Sequence, residues 1–381
     1  MSKILVVHTE YRNFGGEDVA VKNEIDFLSK NYEVRGLIFS NNNKLNFTDA
    51  KIFLTQNDIK ATIALNKTLD DFTPDVAYIH NLWFRGSLNV LNVLLNKNIK
   101  SVIKLHNFRF DCANGLHFRN NQICHDCSTN NRNPGIKNRC YNDSWLKSLL
   151  VTNYGKSLYE FLLKEEVEVL VMTDFHKQYL IKNGISSEKI HISPNMFPEV
   201  NFKSKRKESY NNNEVLYAGR LSPEKGIIEL IDFWINNKIS NYKLIIAGDG
   251  PLKKQIKFKI RNISSIEYLG FKNSEEINDI ILNSLAIISN TQVYENHPTL
   301  LTEASLRGVV SIFPNLGGIK YFLPEHYPLL FESGNYQSLM EKINLISDKV
   351  LLKKLETDVK SHINIYLNNN NLNKLIEKFI T

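Results

Sequence analysis

Long hydrophobic runs are missing. No apolar stretch in the 381 residues reaches the roughly 20 positions of a membrane-spanning helix, so an integral membrane protein is not expected. A secretion signal is not expected either. Met1-Ser2-Lys3 leads straight into the short strand pattern Ile4–His8, without a longer apolar core or a small-residue cleavage site. A cytoplasmic protein is expected. Cysteine is scarce: Cys112, Cys124, Cys127 and Cys140 are the whole supply. That is too sparse for a secreted disulfide scaffold. Neither charge sign dominates. Lys plus Arg number 47 against 40 Asp plus Glu, a net charge of +7 spread along the chain. This suits phosphate ligands or an anionic membrane face, and gives little support to nucleic acid. There is no Asp-x-Asp, the carboxylate pair that would hold a cation on a diphosphate. Repeats of solenoid period are absent as well.

What remains is an alternating α/β pattern. The chain is 43% hydrophobic and 23% charged, a globular composition, and its length suits two domains. Strand-like runs are Ile4–His8, Val34–Phe39, Val76–His80, Ser101–Leu105 and Val167–Met172. A polar break follows, and then come Glu214–Tyr217, Lys243–Ala247, Ile266–Leu269, Ala286–Ser289 and Val309–Phe313. Alternation of this kind predicts parallel sheets covered by helices on both faces. The expected division is a first domain over 1–196, a linker over 197–213 and a second domain over 214–365. In the first helix, Val21, Ile25 and Leu28 mark the apolar face, with Lys22, Asn23 and Glu24 expected on the polar side.

Ligands of such sheets gather beyond the carboxyl ends of the strands. After the first strand comes a loop with Gly15 and Gly16, which allows close backbone approach and opens a helix. Two later strands end in His80-Asn81 and His106-Asn107. Two such pairs with a Gly-Gly loop on one sheet edge point to an active-site rim. In the second half, Gly219-Arg220 through Lys225-Gly226 follows a strand. It reads either as a cation clamp for a diphosphate or as a solvated basic loop. Pro298 is expected to start a helix, leaving N–H groups near Thr299 and Leu300 for phosphate oxygens. Glu295 and Glu303 flank it. Eight helical steps would span about 12 Å, too far for both carboxylates to act on one atom. They suit different hydroxyls of a long polar ligand, or an ordinary capped surface helix.

Together these residues carry a resemblance. Ala218-Gly-Arg220 with Lys225-Gly226, Ala247-Gly-Asp-Gly-Pro251, the Glu295/Glu303 pair and Gly317-Gly318 resemble, in order and spacing, the donor domain of family 4 retaining glycosyltransferases. Gly15-Gly16-Glu17 and His106 extend the likeness more loosely into the first half. The resemblance implies the GT-B fold, two doubly wound Rossmann-like α/β domains facing each other across a cleft. Leu372–Ile380 reads by itself as a short amphipathic helix, and the resemblance implies that the terminal helix, about 366–381, packs back on the first domain. The implied activity is retaining transfer of a sugar from a nucleotide-sugar donor to a glycan or lipid-linked acceptor, in bacterial surface-polysaccharide synthesis, without a catalytic metal. By position, Arg220 and Lys225 would hold the diphosphate, Glu295 the donor sugar and Glu303 the ribose. Pro298, Thr299 and Leu300 would open the phosphate-binding helix. Gly15 and Gly16 would approach phosphates or sugar, and His106 would contact the sugar near the reacting carbon. Where the family usually has Gly-Phe-Gly or Gly-Phe-Pro after the first Glu, this chain has Asn296-His297-Pro298.

Other readings stay open. A nucleotide-sugar epimerase or hydrolase on the same fold would need no acceptor. The four cysteines, in an insert over 107–145, hold either one structural zinc or reduced thiols. A nucleic-acid module built on them would need more clustered basic and aromatic residues than are present, so no nucleic-acid partner is expected. Trp145–Leu163 is apolar, basic and aromatic. It is either a core helix or a contact with the inner face of the plasma membrane.

Overall fold

The structure is a computed structural model that describes residues 1–12, 15–41, 47–129, 131–197, 212–369 and 372–380. The expected linker therefore lies, from 198 to 211, outside the described residues. The chain forms two compact units. One comprises Met1–Arg119, Cys124–Val200 and Asn370–Thr381, and the other Asn120–Ile123 and Asn201–Asn369.

In the first unit the apolar runs become β1 (Lys3–Glu10), β2 (Glu33–Ser40), β3 (Val76–Asn81), β4 (Lys100–Lys104), β7 (Val167–Val171) and β8 (Ile190–Ile192). Two-residue strands β5 (Phe118–Arg119) and β6 (Gln122–Ile123) pair separately, within the cysteine segment. The main sheet runs β2-β1-β3-β4-β7-β8 with parallel pairing throughout. Ile4 sits opposite both Val34 and Val76. β3 is buried along its whole length, as a strand covered on both faces must be. The terminal helix Leu372–Ile380 belongs to this unit. Its Leu372, Ile376 and Phe379, at i, i+4 and i+7, are buried in the cluster that holds Ile4, Val6, Tyr78 and Val102. Residues 366–369 are not part of it. They close the longer helix Lys349–Asn369, whose buried Leu355, Val359 and Ile363 keep one apolar stripe going.

The second unit carries β9 (Glu214–Ala218), β10 (Lys243–Ala247), β11 (Ile266–Gly270), β12 (Ala286–Ile288), β13 (Val310–Pro314) and β14 (Leu330–Phe331), in the order β11-β10-β9-β12-β13-β14, again parallel. The edge strands β8 and β14 did not stand out among the apolar runs, because two or three residues are too few to show a period.

One polar assignment is corrected. Glu24 lies on the buried face of the helix Gly16–Leu28, not on its solvent side. Ala20, Glu24 and Leu28 are spaced at i, i+4, i+8 and share one face. The carboxylate survives burial because Lys104 Nζ lies 2.5 Å away and Tyr78 donates its hydroxyl proton at 2.6 Å. Lys104, the buried last residue of β4, was the sequence signal that a buried acid had to be nearby. The stretch Trp145–Leu163 is a single helix with a buried face: Val151, Tyr154, Gly155, Leu158 and Phe161 point inward.

Candidate active site

The order of each sheet reverses once. In the second unit the chain lays down β9, β10 and β11 outward and then returns to place β12 against β9. Crevices beyond such reversals are where open α/β sheets bind ligands. β9 runs out into Gly219-Arg220 and the 3-10 turn Pro223–Lys225. β12 runs out into Asn290–Pro298 and the helix Thr299–Leu306. Both loops therefore converge. Lys225 Nζ lies 2.5 Å from Glu295 Oε1, and Thr291 Oγ1 donates to the same oxygen at 2.9 Å. Asn290 binds the carbonyl of Gly226 at 3.0 Å, which fixes the start of the next helix. Gly317 forms a parallel bridge with Glu295, and the N–H of Gly318 donates to the Glu295 carbonyl at 2.8 Å. The Gly-Gly pair thus seats the backbone of Glu295.

Arg220 is exposed and makes no ion pair among the described residues. Its loop is nonetheless rigid. Leu221 donates to Asp249 O and accepts from Leu252 N, and Tyr217 donates its hydroxyl to Arg220 O at 3.2 Å. Gly248 makes this lacing possible. Its φ is +143°, and a Cβ there would sit 1.9 Å from Gly219 O.

Pro298 is the N-cap of the helix Thr299–Leu306, one position earlier than expected, and supplies no side-chain cap. The first helical bond is Thr302 N to Pro298 O. The N–H groups of Thr299, Leu300 and Leu301 therefore lack intrahelical acceptors, and the positive end of the helix faces the loop. Glu303 is half-buried, and burial pushes its carboxyl up while Arg307 pulls it back.

In the first unit the reversal lies between β1 and β3. Gly15 is the N-cap of Gly16–Leu28, with its N–H bound by Asp18 Oδ2 at 2.7 Å. Asp18 Oδ1 also holds His8 Nε2 at 2.9 Å. A Cβ at Gly16 would meet nothing within 4 Å among the described residues, so no packing demand there explains that glycine. Asn81 is structural: its side chain donates to Thr9 O and accepts from Trp83 N. His80 is buried, and its Nδ1 lies 3.1 Å from Nε2 of half-buried His106, with the rings stacked. Burial, then His106 and Lys104, lowers the His80 pKa well below the usual histidine range. A neutral His80 fixes the orientation of His106. Sequence reading missed Glu24, Lys104 and Arg109 here.

The four cysteines line one small cavity, together with His117 and Asp126. Burial raises the Cys112 and Cys140 thiols. Cys127 is pushed up to about 12 by burial and by Cys112. Among the described residues, no three Cys, His, Asp or Glu groups are already grouped as a metal site. None of the thiols is disulfide-bonded.

These two parallel-sheet units place the protein in the GT-B class of folds. The family of glycosyl transferases group 1 matches residues 199–362. The phosphatidylinositol N-acetylglucosaminyltransferase GPI3 subunit of Saccharomyces cerevisiae is 25% identical over 223 residues, covering 55% of this chain and 49% of the yeast protein. The chain thus spans about half the length of that relative. Among solved structures, the lipopolysaccharide outer core galactosyltransferase WaaB superposes with a TM-score of 0.65 at 16% identity, over 99% of both chains. Anabaena HepE, solved in complex with UDP and glucose, gives 0.63 at 16% identity over 99% of this chain and 98% of HepE.

Proposed function

We propose that the protein is a retaining glycosyltransferase. It moves a hexose from a nucleotide-sugar donor to a glycan or lipid-linked acceptor in surface-polysaccharide synthesis. One observation carries this reading: Lys225 meets Glu295 beside exposed Arg220, at the reversal of the second sheet, with an uncapped helix start in the same loop. A departing nucleoside diphosphate gathers negative charge, and fixed cations with free N–H groups stabilise it without reorganising. Glu295, held by Lys225 and Thr291, offers its carboxylate to sugar hydroxyls. Glu303, half-buried and short of solvent, suits the paired hydroxyls of a ribose. Open space at Gly16 and the fixed ring of His106 support their roles with phosphate and sugar. The acceptor class draws support from the names of GPI3 and WaaB, which act on a phosphatidylinositol and a lipopolysaccharide core. Thermal shifts against UDP-, GDP-, ADP- and dTDP-sugars test the reading, followed by Arg220→Ala on the best donor. Lack of any shift sinks it. Turnover of donor without acceptor would instead favour an epimerase or hydrolase.

We also propose that the four cysteines take one structural zinc. Four thiols facing one cavity supply the full donor set of a closed site. Bound zinc would cross-link a segment whose strands are only two residues long. Because burial raises the Cys112, Cys127 and Cys140 thiols, loading would release protons. Contact with an anionic membrane is the further proposal for the start of the helix Trp145–Leu163. There Trp145 and Leu146 are 54% and 59% exposed beside Lys147, although no described helix is long and apolar enough to cross a bilayer. Co-sedimentation with anionic vesicles, lost in Trp145→Ala, tests it.

A further inference from the structure

The first unit contains a cation that none of the roles above uses. Arg109 follows β4 by a few residues, in the loop His106–Asp111. Its Nε and Nη1 are buried, and neither has a hydrogen-bond partner among the described residues. Buried guanidinium donors left unpaired are costly, so a fold that keeps them has a reason to do so.

The loop is built to hold this side chain still. Asn107 Oδ1 accepts from the Arg109 N–H at 3.1 Å. Arg132 binds the carbonyl of Phe110 through Nε and Nη2. Gly155, on the helix Trp145–Leu163, leaves room for the Arg109 carbonyl, since a Cβ there would lie 2.4 Å from it. The guanidinium carbon stacks 4.1 Å from the centre of the buried Trp83 ring. That covers the plane of the group and leaves its edge, where the N–H bonds point, for a ligand.

Among the described residues, no carboxylate forms an ion pair with Arg109. Glu17 and the phenols of Tyr11 and Tyr154 feel the guanidinium. Glu17 instead takes its hydrogen bond from Tyr11, at 3.0 Å. Burial pushes its carboxyl up to about 8, so it remains protonated at neutral pH. Arg109, His106, Asn107 and Tyr154 line one cavity. An anion entering there would be recognised by the planar fork and would lie beside the histidine assigned to the reacting sugar.

We propose that this cavity binds the phosphate of a phosphorylated acceptor through Arg109. The proposal rests on the glycosyl-transfer reading. The donor's diphosphate already has its cations in the second unit, so the anion met by Arg109 belongs to the other substrate. The name of the yeast relative, a transferase acting on a phosphatidylinositol, fits an acceptor of this chemistry.

The test uses the full chain saturated with the nucleoside diphosphate of whichever donor gives the largest thermal shift, so that the donor site is filled, and isothermal titration with three probes: inorganic phosphate, dodecyl phosphate and glucuronate. Phosphate and dodecyl phosphate are expected to bind the parent. Arg109→Gln should weaken both at least tenfold, and Arg109→Lys, which keeps the charge but loses the fork, at least threefold. Dodecyl phosphate binding more than tenfold tighter than inorganic phosphate assigns the source to a lipid-linked acceptor, and equal binding assigns it to a soluble phosphorylated sugar. Phosphate affinity unchanged in folded Arg109→Gln and Arg109→Lys overturns the proposal, as does glucuronate binding as tightly as phosphate. A parent that binds phosphate but none of UDP, GDP, ADP and dTDP would sink the transferase reading and leave the anion site standing.

Discussion

Lys225 and Glu295 lie 70 positions apart in the chain and 2.5 Å apart in space, because β9 and β12, the strands that deliver them, are neighbours in the second sheet. The cation proposed for the leaving diphosphate and the carboxylate proposed for the sugar are thus one coupled unit. Lys225→Met and Glu295→Gln are each expected to lower kcat/KM by the equivalent of about 2–4 kcal/mol. The double variant should fall well short of the sum, since removing either partner already disorders the other. Additive losses in a double-mutant cycle on the best donor would show that the contact plays no part in turnover.

Two glycines separate packing from ligand approach. Gly248→Ala forces a Cβ to within 1.9 Å of Gly219 O at a φ of +143°. It should lower the Tm and weaken nucleotide binding together, by dislodging the Arg220 loop. Gly16→Ala meets nothing within 4 Å among the described residues, so its Tm should match the parent while turnover drops. Calorimetry with initial-rate assays checks both. A Gly16→Ala enzyme with parental turnover would remove Gly16 from the site.

Stability in acid should depend on His176. Burial, then His117, lowers its pKa to about 3, and neither ring nitrogen has a hydrogen-bond partner among the described residues. The folded pKa lies below the unfolded value of about 6.5. The unfolded chain therefore binds the proton more readily. The stabilising contribution is complete above about pH 6.5 and is lost progressively as pH falls toward 3. His176→Phe cannot take up that proton. Its urea midpoint should gain on the parent's between pH 7 and pH 4. A constant difference across that range would contradict the burial argument.

Glu17 has the opposite sign of shift for an acid. Its folded pKa of about 8 lies above the unfolded one, so its contribution is complete below about pH 4.5 and fades as pH rises through 8. Glu17→Gln should therefore hold its Tm better than the parent from pH 5 to pH 8.5. Parallel Tm curves would place an ionised Glu17 in the folded protein.

Metal dependence divides in two. Transfer should continue in excess EDTA, as expected for a chain without Asp-x-Asp. Activity that collapses there and returns with Mg²⁺ or Mn²⁺ would refute this. Elemental analysis of freshly purified protein should find one zinc per chain, surviving brief chelation because a four-thiolate site is closed. Its loss in Cys124→Ser/Cys127→Ser, with a lower Tm, would tie the ion to the cysteines. Metal-free protein would leave them as reduced thiols.

The interior runs that become β1, β3, β4 and β10 were readable in the sequence because burial on both faces demands unbroken apolar stretches, a local property. Local too are the turns at Gly226 and Gly248, where the backbone tolerates no side chain, and the proline that ends the loop before Thr299. Glu24 could not be read that way. Its neighbours in sequence are polar, and only the arrival of Lys104 and Tyr78 from other strands makes its burial bearable. Arg109 likewise looked like one more basic residue until Trp83 and Gly155 closed around it. Strand order is what the sequence leaves open: nothing local tells β12 to return beside β9, because strand adjacency is settled by which long-range pairing buries the most apolar surface. That tertiary decision puts Lys225 against Glu295, whereas the residues themselves, and the loops that carry them, were set by sequence alone.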